Sequence, residues 1–368
     1  MASSNSDEKW MARALELAAL GRGKTSPNPL VGAVVVANQC LIGEGYHPAV
    51  GQAHAEVFAL NAAAGNTKGS TVYVTLEPCS FHGRTPPCAQ ALIQAGVTRV
   101  VVAMEDPDSR VSGKGIHYLR QAGVDVNVGV LEPEARQLNA AYIHHRTSGK
   151  PLVLLKIAQT LDGQIATQSG QSQWITGQEA RSRVHLMRSE SDAVLVGVGT
   201  VLADDPLLSV RHIAGPQPRR VVLDTTGRTP SHARILVPID DTTTLVYVTE
   251  RADLRERRRI EASGALCLPM PRSEDGKIDI GHVLLDLGER DIMDLMIEGG
   301  QGIATSFLKA RAAQRMACFV APRLLGTGIP AIGDLGITHM NGTVCVSDVL
   351  IEQLGDDLLI SGTLEYNN

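Results

Sequence analysis

Pro78-Cys79-Ser80-Phe81-His82-Gly83-Arg84-Thr85-Pro86-Pro87-Cys88 sits between a Val-rich run, Thr71–Leu76, and a helix-patterned run, Pro86–Ala95. The first reads as a short buried strand. The two prolines suit the first turn of the second. Upstream, His54-Ala55-Glu56 opens another helical stretch, about His54–Ala64, after a polar lead-in containing glycine. Zinc takes imidazole and thiolate ligands, and a catalytic site keeps three of them so that water fills the fourth position. His54, Cys79 and Cys88 supply one nitrogen and two sulfurs, which leaves one position open. Two helix starts directed at the ion would lower the thiolate pKa values. Glu56 lies about 200° around an ideal helix from His54, so it cannot share that face. At a helix end its carboxylate can still reach the water and move protons. This is the H-x-E … P-C … C pattern of zinc deaminases.

Outward from these motifs, residues 1–150 alternate helical and strand patterns. Helices are expected over Ser6–Leu20, Gly115–Ala122 and Pro133–His145. A hairpin is expected at Gly32–Val36 and Cys40–Gly45, and further strands at Arg99–Met104 and Asp125–Val130. Short Val-rich strands separated by helices predict a sheet covered on both faces. The polar segment Arg146–Pro151 marks a boundary, with a second alternating block after it. Two α/β domains are expected, 1–146 and 151–368.

Composition agrees with that size. The 368 residues are 43% apolar and 20% charged, which excludes disordered, collagen-like and coiled-coil classes. The longest apolar run, Leu30–Ala37, is 8 residues, against about 20 for a membrane span. The start, MASSNSDEKW, has no signal-peptide core, so a cytoplasmic location is expected. Residues 1–150 carry 13 Lys and Arg against 12 Asp and Glu, and the rest 21 against 27. Neither part has the basic balance of a nucleic-acid footprint, which favours a small-molecule substrate. Cys40, Cys267, Cys318 and Cys345 are solitary, and most of them sit in apolar stretches, reading as buried hydrophobes.

Asn28-Pro29-Leu30-Val31-Gly32, Gly45-Tyr46-His47, His54-Ala55-Glu56, Thr75-Leu76-Glu77-Pro78-Cys79 and Gly83-Arg84-Thr85-Pro86-Pro87-Cys88 together resemble the deaminase half of the bifunctional riboflavin-biosynthesis deaminase–reductase family. The resemblance implies a cytidine-deaminase-like three-layer α/β/α domain, a Zn2+ ion, and substrate contacts from Asn28, His47 and Arg84. The chain departs from the family pattern at Phe81, where His is usual.

In the second block, Gly-rich turns follow strand patterns at Gly197-Val198-Gly199-Thr200 and Glu298-Gly299-Gly300-Gln301-Gly302. Such turns free backbone N–H groups for phosphate, but no G-x-G-x-x-G fingerprint is present. With Lys156–Gly163 and Ser172–Thr176, these elements resemble the family's reductase half, which implies a dihydrofolate-reductase-like α/β domain using NADPH. By that resemblance the dinucleotide meets Ala158, Trp174, Thr200, Asp204, Thr225 and Gly300, Gln301, Gly302, Ile303, Ala304, Thr305 and Ser306. The sugar phosphate meets Ser172, Arg188, Leu208, Arg211 and Glu298, with Lys156 acting on the sugar. Across Pro216–Gly288 little is recognisable beyond Leu223-Asp224-Thr225.

The expectation is therefore a two-step enzyme acting on a pyrimidine ribosyl phosphate. Zinc-dependent loss of an exocyclic amine is followed by NADPH-dependent reduction of the ribosyl to a ribityl chain. No membrane or nucleic-acid partner is expected, and a homo-oligomer through the second domain is left open. The alternatives are a nucleoside or tRNA deaminase with an accessory domain, and a binding protein with structural zinc.

Overall fold

The computed structural model describes residues 2–80, 87–240 and 242–367; within the first helix, side chains are described from Ser6 onward. The expected contacts of Phe81 and Arg84 lie outside the described residues. The chain divides into two units, Met1–Gly149 and Lys150–Asn368.

In the first unit, helix α1 (Ala2–Ala19) precedes the hairpin β1 (Gly32–Ala37) and β2 (Cys40–Tyr46). Then follow α2 (Ala55–Ala62), β3 (Thr71–Val74), α3 (Cys88–Gln94), β4 (Arg99–Val102), α4 (Lys114–Gln121), β5 (Asp125–Val128), α5 (Glu132–Leu138) and α6 (Ala140–Ser148). The sheet order is β2-β1-β3-β4-β5. β1 is antiparallel to both its neighbours, while β3, β4 and β5 run parallel. Val35, Val72, Val74, Val100 and Val102 are fully buried in one cluster with Ala55, Ala59, Ala89 and Leu92 of the helices. Each buried Val or Leu contributes about 1.5–3 kcal/mol. Gly32 lets α1 lie close on the sheet, since a Cβ there would stand 2.0 Å from Ala14 O. Asp7 of α1 ties that helix down: it accepts from Tyr73 Oη at 2.8 Å and from both terminal nitrogens of Arg99 at 2.9 and 2.7 Å.

The single helix expected over Pro133–His145 is two helices, broken at Asn139 (φ −100°, ψ 20°). The buried Asn139 side chain bonds the backbone of Leu30, which holds the chain off the helical path. α6 runs on to Ser148 and ends at Gly149, whose φ of +71° needs glycine or strain.

The second unit begins with β6 (Leu152–Thr160), β7 (Gln164–Thr167), α7 (Gln178–Glu190), β8 (Ala193–Gly197), α8 (Val198–Asp204), β9 (Arg219–Leu223) and β10 (Leu245–Val248). It continues with α9 (Leu254–Ala262), β11 (Leu266–Pro269), α10 (Ile280–Glu289), β12 (Asp294–Ile297), α11 (Gln301–Lys309), β13 (Arg315–Ala321), β14 (Gly328–Pro330), β15 (Val344–Leu354) and β16 (Asp357–Tyr366). Nine strands form one sheet, β11-β10-β9-β8-β12-β6-β13-β16-β15. Its parallel part, from β11 to β13, ends against the antiparallel β16 and β15. Because β12 inserts between β8 and β6, the chain order reverses there; in open α/β sheets ligands bind at such a switch point, outside the carboxyl ends of the strands.

Candidate active sites in the two units

In the first unit, His54 Nδ1, Cys79 Sγ and Cys88 Sγ all lie within 4.8 Å of one another. His54 Nδ1 is 3.2 Å from Cys88 Sγ and 3.6 Å from Cys79 Sγ. Tetrahedral zinc with ordinary bond lengths would set N···S near 3.6 Å and S···S near 3.8 Å, by rough geometry from those lengths. The donor set therefore fits zinc, and among the described residues no fourth Asp, Glu, His or Cys joins it. His54 is the N-cap of α2, in extended conformation (φ −75°, ψ 162°), and not a first-turn residue as expected; Pro87 caps α3 in the same way. The angular separation argued from an ideal helix therefore does not apply. Glu56 sits beside the cluster, 3% exposed, and its Oε2 has no hydrogen-bond partner among the described residues. Burial first, and then the charge of Cys79, pushes its carboxyl up to about 7. Cys79 is drawn down to about 4, chiefly because the Cys88 thiol donates to its thiolate; Cys88 moves the opposite way, so without metal the pair shares one proton.

His47 and Asn28 form the adjoining wall. His47 Nδ1 faces Ala53 O at 3.0 Å, and a carbonyl can only accept, so Nδ1 carries the proton. Nε2 then accepts from Asn28 Nδ2 at 3.0 Å. Burial lowers the His47 pKa.

Glu77, two residues before Cys79, anchors the loop that carries it. Its buried carboxylate accepts from the N–H groups of Asp106, Gly113, Gly115 and Ile116 at 3.2, 2.9, 2.8 and 3.2 Å. Gly115 is needed for this approach, because a Cβ there would stand 1.9 Å from Pro78 O.

In the second unit, the register that pairs Leu155 with Ile297 brings Lys156 beside Glu298. Lys156 Nζ lies 3.6 Å from Glu298 Oε2. Arg188 Nε and Nη2 reach the two Glu298 oxygens at 2.6 and 2.9 Å, and its Nη1 donates to Ser209 O at 3.1 Å. All three Arg188 nitrogens are thus engaged, which leaves Arg211 as the freer guanidinium. Burial would raise the Glu298 pKa, but Arg188 and Lys156 outweigh it and hold the carboxyl at about 2. Burial lowers the Lys156 pKa.

Arg211 is presented by a loop held at Ser209, Val210 and Arg211. Its N–H donates to His185 Nδ1 at 3.1 Å, and Gln217 grips Val210 through both backbone groups at 2.8 and 3.1 Å. Leu208 takes a left-handed φ of 50° and is buried. His185 and Gln217 carried no sequence signal, since each reads as an ordinary polar residue.

The dinucleotide set is partly assembled. Ser172 Oγ donates to Asp204 Oδ1 at 2.9 Å, and a Cβ on Gly300 would lie 3.8 Å from Thr200 Oγ1. Gly300 caps α11, which carries Gln301, Gly302, Ile303, Ala304, Thr305 and Ser306. Ile303 is spent on packing against Gly197 and Gly299, and Ala304 is core. Trp174 is 64% exposed under the Arg181 guanidinium, 4.8 Å from the ring centroid. Ala158 is half-buried on β6, and Thr225 O accepts from Thr249 at the end of β10.

Residues 4–104 match the cytidine and deoxycytidylate deaminase zinc-binding region, and residues 151–360 match the RibD C-terminal domain. The riboflavin biosynthesis protein RibD of Aquifex aeolicus is 44% identical over 96% of this chain and 97% of its own. The chain belongs to the bifunctional riboflavin-biosynthesis deaminase–reductase family, RibD. Acinetobacter baumannii RibD is similar in structure, with a TM-score of 0.89 at 39% identity over 98% of this chain and 99% of its own. A Thermotoga maritima protein described as a diaminohydroxyphosphoribosylaminopyrimidine deaminase/5-amino-6-(5-phosphoribosylamino)uracil reductase gives 0.85 at 35%, over 99% and 100%. Like its family, this protein joins a zinc-dependent deaminase to an NADPH-dependent reductase. A nucleoside or tRNA deaminase with an accessory domain is not favoured, because the RibD match spans both units. Among the described residues no helix is long and apolar enough to cross a membrane.

Proposed function

We propose that residues 1–146 hydrolyse the exocyclic amine of 2,5-diamino-6-ribosylamino-4(3H)-pyrimidinone 5′-phosphate and that residues 151–368 reduce the ribosyl product to its ribityl form. The observation that carries the first step is the unpartnered, buried Glu56 Oε2 beside His54, Cys79 and Cys88. Zinc in that donor set supplies the Lewis acidity that makes water a nucleophile near neutral pH. Glu56 takes a proton from the attacking water and gives it to the adjacent ring nitrogen, then carries the remaining hydroxyl proton to the departing amine, so that the C–N bond breaks, the carbonyl forms and ammonia leaves. Asn28, oriented by His47, holds the pyrimidine, and the family resemblance assigns Arg84 to the same substrate.

In the second step bound NADPH would supply hydride to the sugar carbon, while the ring oxygen that leaves that carbon takes up a proton. Lys156 donates hydrogen bonds to the sugar oxygens, Arg211 binds the phosphate, and Arg188 acts through Glu298. Ser172 and Leu208 border the sugar phosphate. Trp174, Ala158, Thr200, Asp204, Thr225 and the start of α11 receive the dinucleotide. The protein's free cysteines suit a reducing, cytoplasmic setting.

Chelation tests the division of labour. It should abolish ammonia release and leave NADPH consumption on pre-deaminated substrate within about twofold, since among the described residues the metal-ligand cluster lies in the first unit. Equal loss of both activities would contradict it. We also propose a homo-oligomer through the reductase domain. Val349, Leu350 and Ile351 on the edge strand β15 are 49, 66 and 68% exposed, an apolar edge that isolated chains rarely leave open. Light scattering should give a multiple of 39.2 kDa, reduced by Leu350→Lys with Ile351→Lys. A parent chain measured at 39.2 kDa would remove this assembly.

A further inference from the structure

Residues 105–150 fall outside both matched family regions, yet two of their side chains grip the loop that carries Asn28. Asn139 Oδ1 accepts from Leu30 N at 2.8 Å, and Asn139 Nδ2 donates to Leu30 O at 2.9 Å. A single amide thus satisfies both backbone groups of one residue across 109 positions of sequence. Asn139 is 2% exposed, so neither bond is traded freely with water. At the other end of the same loop, Arg146 Nη2 donates to Pro27 O at 3.1 Å. Asn28 lies between these two holds, and its Nδ2 is already committed to His47 Nε2.

We propose that Asn139 is a positioning residue of the deaminase: with Arg146 it fixes the Pro27–Leu30 loop so that Asn28 presents its side-chain oxygen to an N–H of the pyrimidine. Neither residue is one of the zinc ligands; both act through Asn28. The break between α5 and α6 follows from this task, since a continuous helix would keep residue 139 on a helical backbone instead of letting it depart at φ −100°. The inference rests on the reading in which Asn28 contacts the substrate.

The test compares Asn139→Ala, Arg146→Met and Asn28→Ala in the full chain. For each, steady-state deamination, zinc per chain and NADPH consumption on pre-deaminated substrate are measured. Displacing a binding group removes ground-state and transition-state contacts alike, so KM should rise while kcat holds. The expected rise is about 10- to 100-fold for Asn139→Ala, with a smaller rise for Arg146→Met. Zinc content and reduction should stay as in the parent. A merely structural role behaves differently: loss of folded protein lowers the apparent kcat but cannot change the KM of the fraction that remains. If Asn139→Ala yields too little protein, Arg146→Met carries the same comparison, because it leaves the Asn139 bonds intact. KM rising in Asn28→Ala but unchanged in the other two overturns the inference and spares the reading of Asn28. KM unchanged in all three overturns both.

Discussion

Glu56→Gln is expected to lower the deaminase kcat by about 10²–10⁴-fold while zinc per chain stays at the parent value and NADPH consumption on pre-deaminated substrate is untouched. The replacement keeps the shape of the side chain in a site where Glu56 is 3% exposed, so packing does not change. What disappears is the ability to take up and release a proton. Burial and the neighbouring Cys79 charge lift the Glu56 carboxyl to about 7, from an ordinary 4.5; a divalent ion on the adjacent ligands adds opposite charge and draws it back down. Stability gives an independent readout. A carboxyl raised on folding contributes stability that is complete below the unfolded value of 4.5 and is lost as pH rises through about 7. In zinc-free protein at pH 8, Glu56→Gln never charges, so its Tm should equal or exceed that of the parent. Ammonia release at the parent rate, with zinc retained, would end the assignment of Glu56 as proton carrier. Zinc lost along with activity would instead make the side chain part of the metal support.

The zinc ligands were readable because their constraints are local. In the sequence a strand pattern ahead of Cys79 and a helix start at Cys88 signal the two sulfurs, and His54 needs only another helix start. The sequence could not show that His54 stands outside α2, since capping residues and first-turn residues share the same composition. The Lys156–Glu298 pairing depends on which strands are neighbours, a long-range fact that becomes available only once β12 is placed beside β6. Asn139 was hidden for a different reason: a polar residue in a helical pattern reads as solvent-facing, and here it faces the backbone of Leu30. α8 was obscured by Gly197 and Gly199, which look like a turn, although Gly197 is its N-cap. α10 carries a start signal in the sequence at Asp279, whose side chain accepts from His282 N at 3.0 Å. β15 shows little inward-outward alternation, because most of its residues are exposed at the sheet edge.

Lys156→Met and Glu298→Ala should separate chemistry from folding in the reductase unit. Lys156, Glu298 and Arg188 form a buried cluster of two cations and one carboxylate, with side chains 14, 8 and 11% exposed. Replacing Lys156 by Met keeps most of the stem and leaves Glu298 in its two-point contact with Arg188, so the remaining pair is neutral and stays hydrogen-bonded. Folding should survive, and NADPH consumption should fall by about 10²-fold or more if Nζ acts on the sugar. Glu298→Ala does the reverse: it strands two cations away from water and should destabilise the unit by about 3–5 kcal/mol, visible as a lower Tm. Deamination measured on the same preparations serves as the control, since none of these residues belongs to the first unit. NADPH consumption unchanged in Lys156→Met would reduce Lys156 to a structural counter-charge. A Tm unchanged in Glu298→Ala would mean that the cluster is hydrated in solution, and the low pKa of Glu298 could then no longer be attributed to two desolvated cations.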